Sequence, residues 1–108
     1  MKRGELWTVA GGVYANKPRP ALMLQDDRFD ATDSVTVCPL TKFAVDAPLV
    51  RIEVPPNQGN GLHELSFIMV DKTTTTRRAS VRERLGIVSA SQMVQVERSL
   101  LVFLGIGD

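Results

Sequence analysis

A chain of 108 residues has room for one domain and little more. With 44% hydrophobic and 23% charged residues it has the make-up of an ordinary globular protein, and no stretch approaches the roughly 20 apolar residues that span a bilayer. A net charge of +1 argues against strong global attraction to a polyanion, and the single cysteine, Cys38, leaves no intramolecular disulfide and no cysteine cluster for zinc.

The opening run, Met1 to Glu5, is not followed by an apolar segment of signal-peptide length, so the cytoplasm is the expected location. Glu5 to Val9 reads as a first strand. Ala10 to Pro18, with Gly11, Gly12, Tyr14 and Lys17, reads as a loop that runs directly into Arg19. Pro20 to Gln25 is short and apolar, which suits a buried strand, and Asp26 to Asp33 has room for about one helical turn. Ser34 to Cys38 is rich in β-branched residues and is expected to stop at Pro39. Leu49 to Val54 alternates, with Val50, Ile52 and Val54 on one face and Arg51 and Glu53 on the other.

Residues 55–61 have the composition of a loop. Ser66 to Val70 is another apolar strand, and Thr73 to Thr76 extends the β-branched bias. The period then changes. Ser89 and Gln92 have capping-box spacing; Met93, Val96, Leu100 and Phe103 form a helical stripe expected to face the core; Gly105 is placed to end the helix. About five short strands and one terminal helix predict a mainly β (α+β) fold over residues 1–108, a small antiparallel barrel or curled sheet.

Charge is unevenly spread. Residues 1–25 hold four basic side chains against one acidic, residues 26–71 three against eight, and residues 72–108 six against three. If the two ends pack together they would form a basic surface; the alternative is a mixed, solvated one. Phosphate-cradling glycine loops, nucleophile elbows and paired-histidine metal motifs are absent. His63 reads as a solvated loop histidine, with general-base chemistry as its alternative. Cys38 reads as a buried, inert thiol.

Arg19 stands apart because Pro18 and Pro20 flank it, which restricts the backbone from which its guanidinium starts. A fixed planar fork at the end of a core strand suits a phosphate, or else a surface ion pair. Thr41 lies at the next strand end with Lys42 beside it: a hydroxyl and an ammonium that would hold an anion, or a plain turn. Asp71 follows the buried strand Phe67–Val70 with Lys72 next, a place for a base or for an ion-pairing carboxylate.

These segments resemble, in order, those of the MazF/PemK family. The Lys2-Arg3-Gly4-Glu5-Leu6-Trp7 opening is similar to the family's first strand, Lys17 to Gln25 to its Arg-Pro-aliphatic strand, Cys38-Pro39-Leu40-Thr41 to the segment bearing its threonine or serine, and Ser66 to Asp71 to the following core strand. The closing helix with Leu104-Gly105-Ile106 also fits. The resemblance implies a CcdB/PemK-type fold and a homodimeric, cofactor-free, metal-independent endoribonuclease that cuts single-stranded RNA, messenger, ribosomal or transfer. It implies 2′,3′-cyclic phosphate and 5′-hydroxyl ends, and a toxin restrained by a cognate antitoxin; from the glycine-bearing loop and the basic chain ends, the antitoxin is expected to lay an acidic-hydrophobic segment near Arg19 and the preceding loop. By position, Arg19, Thr41 and Asp71 match catalytic residues, and Lys17, Gln25, Lys42, Lys72 and Arg77 are the expected RNA contacts. Two positions depart from the pattern: Met69 stands where one branch has an arginine, and Thr73 to Thr76 lack the arginine found in many members, with Arg77 and Arg78 coming later. Two other readings stay open. A CcdB-like gyrase-binding toxin would use the Gly105-Ile106 end, and a non-catalytic RNA- or protein-binding barrel would use Trp7 and Tyr14 as stacking groups.

Overall fold

In a computed structural model that describes residues 1–11 and 17–107, seven strands and one α-helix follow each other as β1 (Glu5–Val9), β2 (Arg19–Met23), β3 (Ser34–Thr41), β4 (Arg51–Val54), β5 (Ser66–Met69), β6 (Thr74–Arg77), β7 (Val81–Ile87) and α1 (Ala90–Leu104). They form one antiparallel sheet in the order β4-β5-β3-β2-β1-β7, with β6 on β3. Among the described residues the sheet is not closed.

Residue parity divides the sheet into two faces. Leu6, Leu22, Cys38, Leu40, Ile52, Val54 and Ile68 point to one side, where Met93 and Val96 of α1 complete the main core. Ala21, Met23, Val35 and Val37 point to the other side and form a smaller cluster under Trp7, Val9 and Val81. The helix therefore covers one face and leaves the other to the smaller cluster and to the strand ends.

Four expectations are corrected. The second strand begins at Arg19 and ends at Met23, so Gln25 lies beyond it. The third strand does not stop at Pro39 but runs through it to Thr41. On one side β3 changes partner, from β6 at residues 34–37 to β5 at residues 40–41. Pro39 falls in that gap, where a missing N–H removes no ladder bond. The strand β7 was not foreseen: Arg82, Glu83 and Arg84 break its alternation, and register shifts against β1 at Leu6/Trp7 and Trp7/Val9 hide it further. Finally, Phe103 is 48% exposed. Of the stripe, Met93 and Val96 are buried, Ser99 beside it is buried too, and the last turn, Leu101 to Leu104, is exposed.

The expected capping box is present, with the Gln92 amide donating to Ser89 Oγ and the Ser89 amide to Gln92 Oε1. Gly105 ends the helix in the left-handed region at φ 69°, and its N–H reaches the Leu101 and Val102 carbonyls. Ser99 Oγ donates to the Leu49 carbonyl and ties α1 to the approach of β4.

The basic chain ends do meet, through β1 and β7, but several cations there are paired. Arg84 Nε lies 2.6 Å from Glu5 Oε2, and Arg3 lies 3.3 Å from Glu97. Burial raises the Glu5 carboxyl, yet hydrogen bonds from Arg84, the Lys2 amide and the Trp7 indole outweigh that and bring it down to about 2. A carboxylate depressed in the fold stabilises above its unfolded pKa, near 4.5, and that stabilisation fades as pH falls towards 2. With Arg84 half exposed, the contribution is on the order of 2 kcal/mol. Thermal unfolding of Glu5→Gln should thus lie below wild type at pH 7, with the gap closing between pH 4.5 and pH 2. A constant gap across that range would contradict this.

Candidate functional site

The β2–β3 ladder pairs Ala21 with Pro39, Leu22 with Cys38 and Met23 with Val37. Carried two residues further, the same register sets Arg19 opposite Thr41. Both share the parity of Ala21 and Val37, so both belong to the face without the helix. Arg19 is exposed at the start of β2 and Thr41 half-buried at the end of β3. Arg19 pairs with no carboxylate among the described residues. The Thr41 hydroxyl oxygen accepts the Phe43 amide at 3.2 Å, which fixes its direction.

Thr41 has a second neighbour. Across β3–β5 it stands opposite Phe67, and across β4–β5 Phe67 stands opposite Glu53. With the β2–β3 register continued to its end, one row runs Val9, Arg19, Thr41, Phe67, Glu53; three of its four steps are paired directly, Val9 with Arg19, Thr41 with Phe67 and Phe67 with Glu53.

The other predicted residues fall into two groups. Lys17 is exposed just before Arg19, and Lys42 follows Thr41; Lys42 Nζ lies 2.9 Å from Glu64, an exposed pair of the kind that contributes little and is readily exchanged for another anion. Gln25, Lys72 and Arg77 do not join this row. Gln25 lies six residues along from Arg19, roughly 20 Å at strand rise. Its side chain donates to the Phe29 carbonyl at 2.7 Å and to Thr32 Oγ1 at 3.0 Å, and accepts the Thr36 amide at 3.2 Å. It is a turn-forming residue. Arg77 pairs with Ser34 at the opposite end of β3, and Lys72 is exposed in the 3-10 turn after β5.

Asp71 sits in that same turn. Arg51 grips it with both arms of its fork, Nε to Oδ1 at 2.8 Å and Nη2 to Oδ2 at 3.2 Å. The Arg51 hydrogen bond outweighs partial burial and holds the Asp71 carboxyl below the usual range. Such a carboxylate is a poor proton acceptor at neutral pH and a good anchor for a guanidinium. Arg51 stands directly opposite Met69. The cation that the sequence lacks beside Asp71 thus comes from the neighbouring strand. Only the β4–β5 register reveals it; in the sequence Arg51 is one polar residue of an alternating strand.

Of the predicted loop Ala10 to Pro18, residues 12–16, including Tyr14, lie outside the described residues. Trp7 is half-buried against the smaller cluster and donates its indole N–H to Glu5 at 3.1 Å. His63 is exposed in its loop. Cys38 is fully buried beside Thr73 Oγ1 at 3.1 Å, and burial pushes its thiol up, as an inert sulfur requires. Among the described residues, no three His, Cys, Asp or Glu side chains gather as a metal-binding group. No helix there is long and apolar enough to cross a membrane.

Known proteins share this fold. Residues 2–104 match the model of the PemK-like, MazF-like toxins of type II toxin–antitoxin systems. Over 107 residues the chain is 51% identical to a probable endoribonuclease MazF of Mycolicibacterium smegmatis, covering 98% of each chain. Its fold superimposes on the Mycobacterium tuberculosis toxin MazF-mt6 with a TM-score of 0.82 at 21% identity, over 96% of this chain and 99% of that one. It likewise superimposes on a chain of a MazE–MazF crystal structure from Deinococcus radiodurans, with a TM-score of 0.81 at 23% identity, over 99% and 97%.

Proposed function

The chain belongs to the PemK-like, MazF-like family of type II toxin–antitoxin toxins, and from that premise we propose that it is a sequence-specific endoribonuclease that cuts single-stranded RNA without a metal ion. What supports this reading is the β2–β3 register, which, continued from Ala21 opposite Pro39, brings Arg19 opposite Thr41 at two strand ends on the face that α1 leaves open.

RNA carries its own nucleophile. As the 2′-oxygen bonds to the adjacent phosphorus, the bond from phosphorus to the 5′-oxygen breaks; one proton leaves O2′ and one arrives at O5′. The products are a 2′,3′-cyclic phosphate and a 5′-hydroxyl. The protein has to orient the 2′-hydroxyl, neutralise charge developing on the phosphoryl oxygens and stabilise the leaving oxygen. Arg19 supplies the charge and an N–H directed at the leaving oxygen. The Thr41 hydroxyl, oriented by the Phe43 amide, holds a non-bridging oxygen. Lys17 and Lys42 attract the flanking phosphates. Asp71 acts through Arg51, holding that guanidinium along the strand from the cut.

The active form is a homodimer in the cytoplasm. The outward side of α1 supports this, since Val94, Leu101, Val102 and Leu104 are exposed there. A cognate antitoxin inhibits by laying an acidic-hydrophobic segment near Arg19 in competition with RNA.

The test is incubation of the purified protein with a long single-stranded RNA in excess EDTA, with and without the antitoxin. Cleavage should persist in EDTA, leave cyclic phosphate ends and stop when antitoxin is added. A strict requirement for added magnesium would sink the metal-free route.

A further inference from the structure

Phe67 has no role in the chemistry above, yet it occupies the position next to Thr41 on the same face. It is only half-buried, and it belongs to neither core cluster. Its neighbours along β5, Ser66 and Ile68, are buried on the helix side. The ring is thus turned to the open face, one strand spacing from the Thr41 backbone. Beyond it stands Glu53, exposed and without an ion pair among the described residues.

Resting on the ribonuclease reading, the geometry points to a base-reading subsite in which Phe67 stacks the nucleobase beside the scissile phosphate and Glu53 accepts a hydrogen bond from that base. If Thr41 holds the phosphate, the next strand, about 5 Å away, is where the attached base arrives. An aromatic ring offers every base a stacking surface. A carboxylate one strand further selects by chemistry. It accepts from the exocyclic amino group of adenine, cytosine or guanine, whereas uracil has no amino group and flanks its one N–H donor with two carbonyls that repel the carboxylate. The pair therefore favours an amino-bearing base at one position flanking the cut. Ordinary cross-strand packing of Phe67 against Thr41 and Glu53 is the competing account, and it makes no demand on the RNA base.

The experiment measures binding of short, mixed-sequence 2′-O-methyl RNA, which cannot be cut, and of a matched strand with abasic sugars. Phe67→Leu should weaken binding of the base-bearing strand by about 10-fold or more and leave the abasic strand unchanged. Phe67→Trp, which keeps a ring, should restore affinity to within a few-fold. A leucine variant that binds both strands as wild type does, or loses both equally, overturns the stack. In parallel, sequencing of cut ends should show that Glu53→Gln loses discrimination against uracil at one position beside the cut. An unchanged cut-site profile overturns the part assigned to Glu53. A wild-type protein that cuts no RNA removes the catalytic reading, while the two-strand binding comparison still decides the stack.

Discussion

Arg19→Ala should lower the rate of RNA cleavage by about 10²–10³, and Thr41→Ala should do nearly the same, while each variant melts within a few degrees of wild type. The size follows from what each side chain faces. A guanidinium beside the phosphoryl group offsets charge that exists fully only as the bond breaks, so its loss falls on the transition state. The small change in stability follows from location. Arg19 is exposed with no described partner, and Thr41 makes one hydrogen bond at the end of β3. Arg19→Lys should recover only part of the rate, because an ammonium is a point charge without the fork. Single-turnover cleavage of one defined oligonucleotide, read beside thermal melts, checks both halves. Wild-type rates in both alanine variants would remove these residues from the chemistry. Asp71→Asn is expected to act differently. It loosens Arg51 and leaves the charge at Arg19 intact, so the loss should be smaller.

Gly86→Ala should destabilise the protein by about 3 kcal/mol or more, which for a domain of this size lowers the melting temperature by roughly 10 °C. A Cβ at Gly86 would fall within 2.7 Å of the Asn60 Cα and would meet the Gly59 carbonyl oxygen more closely still. Backbone lies on that side, so no flexible side chain can yield. The loop cannot retreat cheaply either. Asn60 is fully buried, donating to the Pro55 carbonyl at 2.9 Å and accepting the Asn57 and Leu62 amides at 3.1 and 3.0 Å. Moving the loop would strain those bonds together with that from the Ile87 amide to the Gly59 carbonyl, at 2.8 Å. A melting temperature within two or three degrees of wild type would show that the loop adjusts after all.

What could be read in the sequence depended on range. The helix was legible from Ser89 to Gly105 because its cap, period and stop are local signals. The strands around Leu22 and Ile68 were legible as short apolar runs, and the strand Arg51–Val54 as a clean alternation. The positions of Arg19 and Thr41 at strand ends followed from the flanking prolines and the apolar runs. Other features were hidden for stated reasons. Three successive charges concealed β7, and the register shifts against β1 hid its alternation. Periodicity placed Phe103 on the core stripe but cannot say where the sheet beneath the helix ends. Gln25 looked like a polar side chain at a strand end, yet its partners Phe29, Thr32 and Thr36 appear only once the turn closes. Arg51 and Asp71 are twenty residues apart, and their pairing, like the nearness of Phe67 to Thr41, depends on strand register that no local pattern encodes.

An open sheet leaves unpaired edges, and among the described residues β7 is one of them, on the outer side of β1. Bare edges invite another chain to add a strand, the first step towards fibrils. This edge resists in three ways. Its centre bears Arg82, Glu83 and Arg84 in succession, all exposed. Its ladder to β1 is bulged twice, which twists the strand away from a flat template. Its end is already bonded to the 59–61 loop through Ile87. The charges that concealed β7 in the sequence thus guard this edge against pairing with a second copy of the chain.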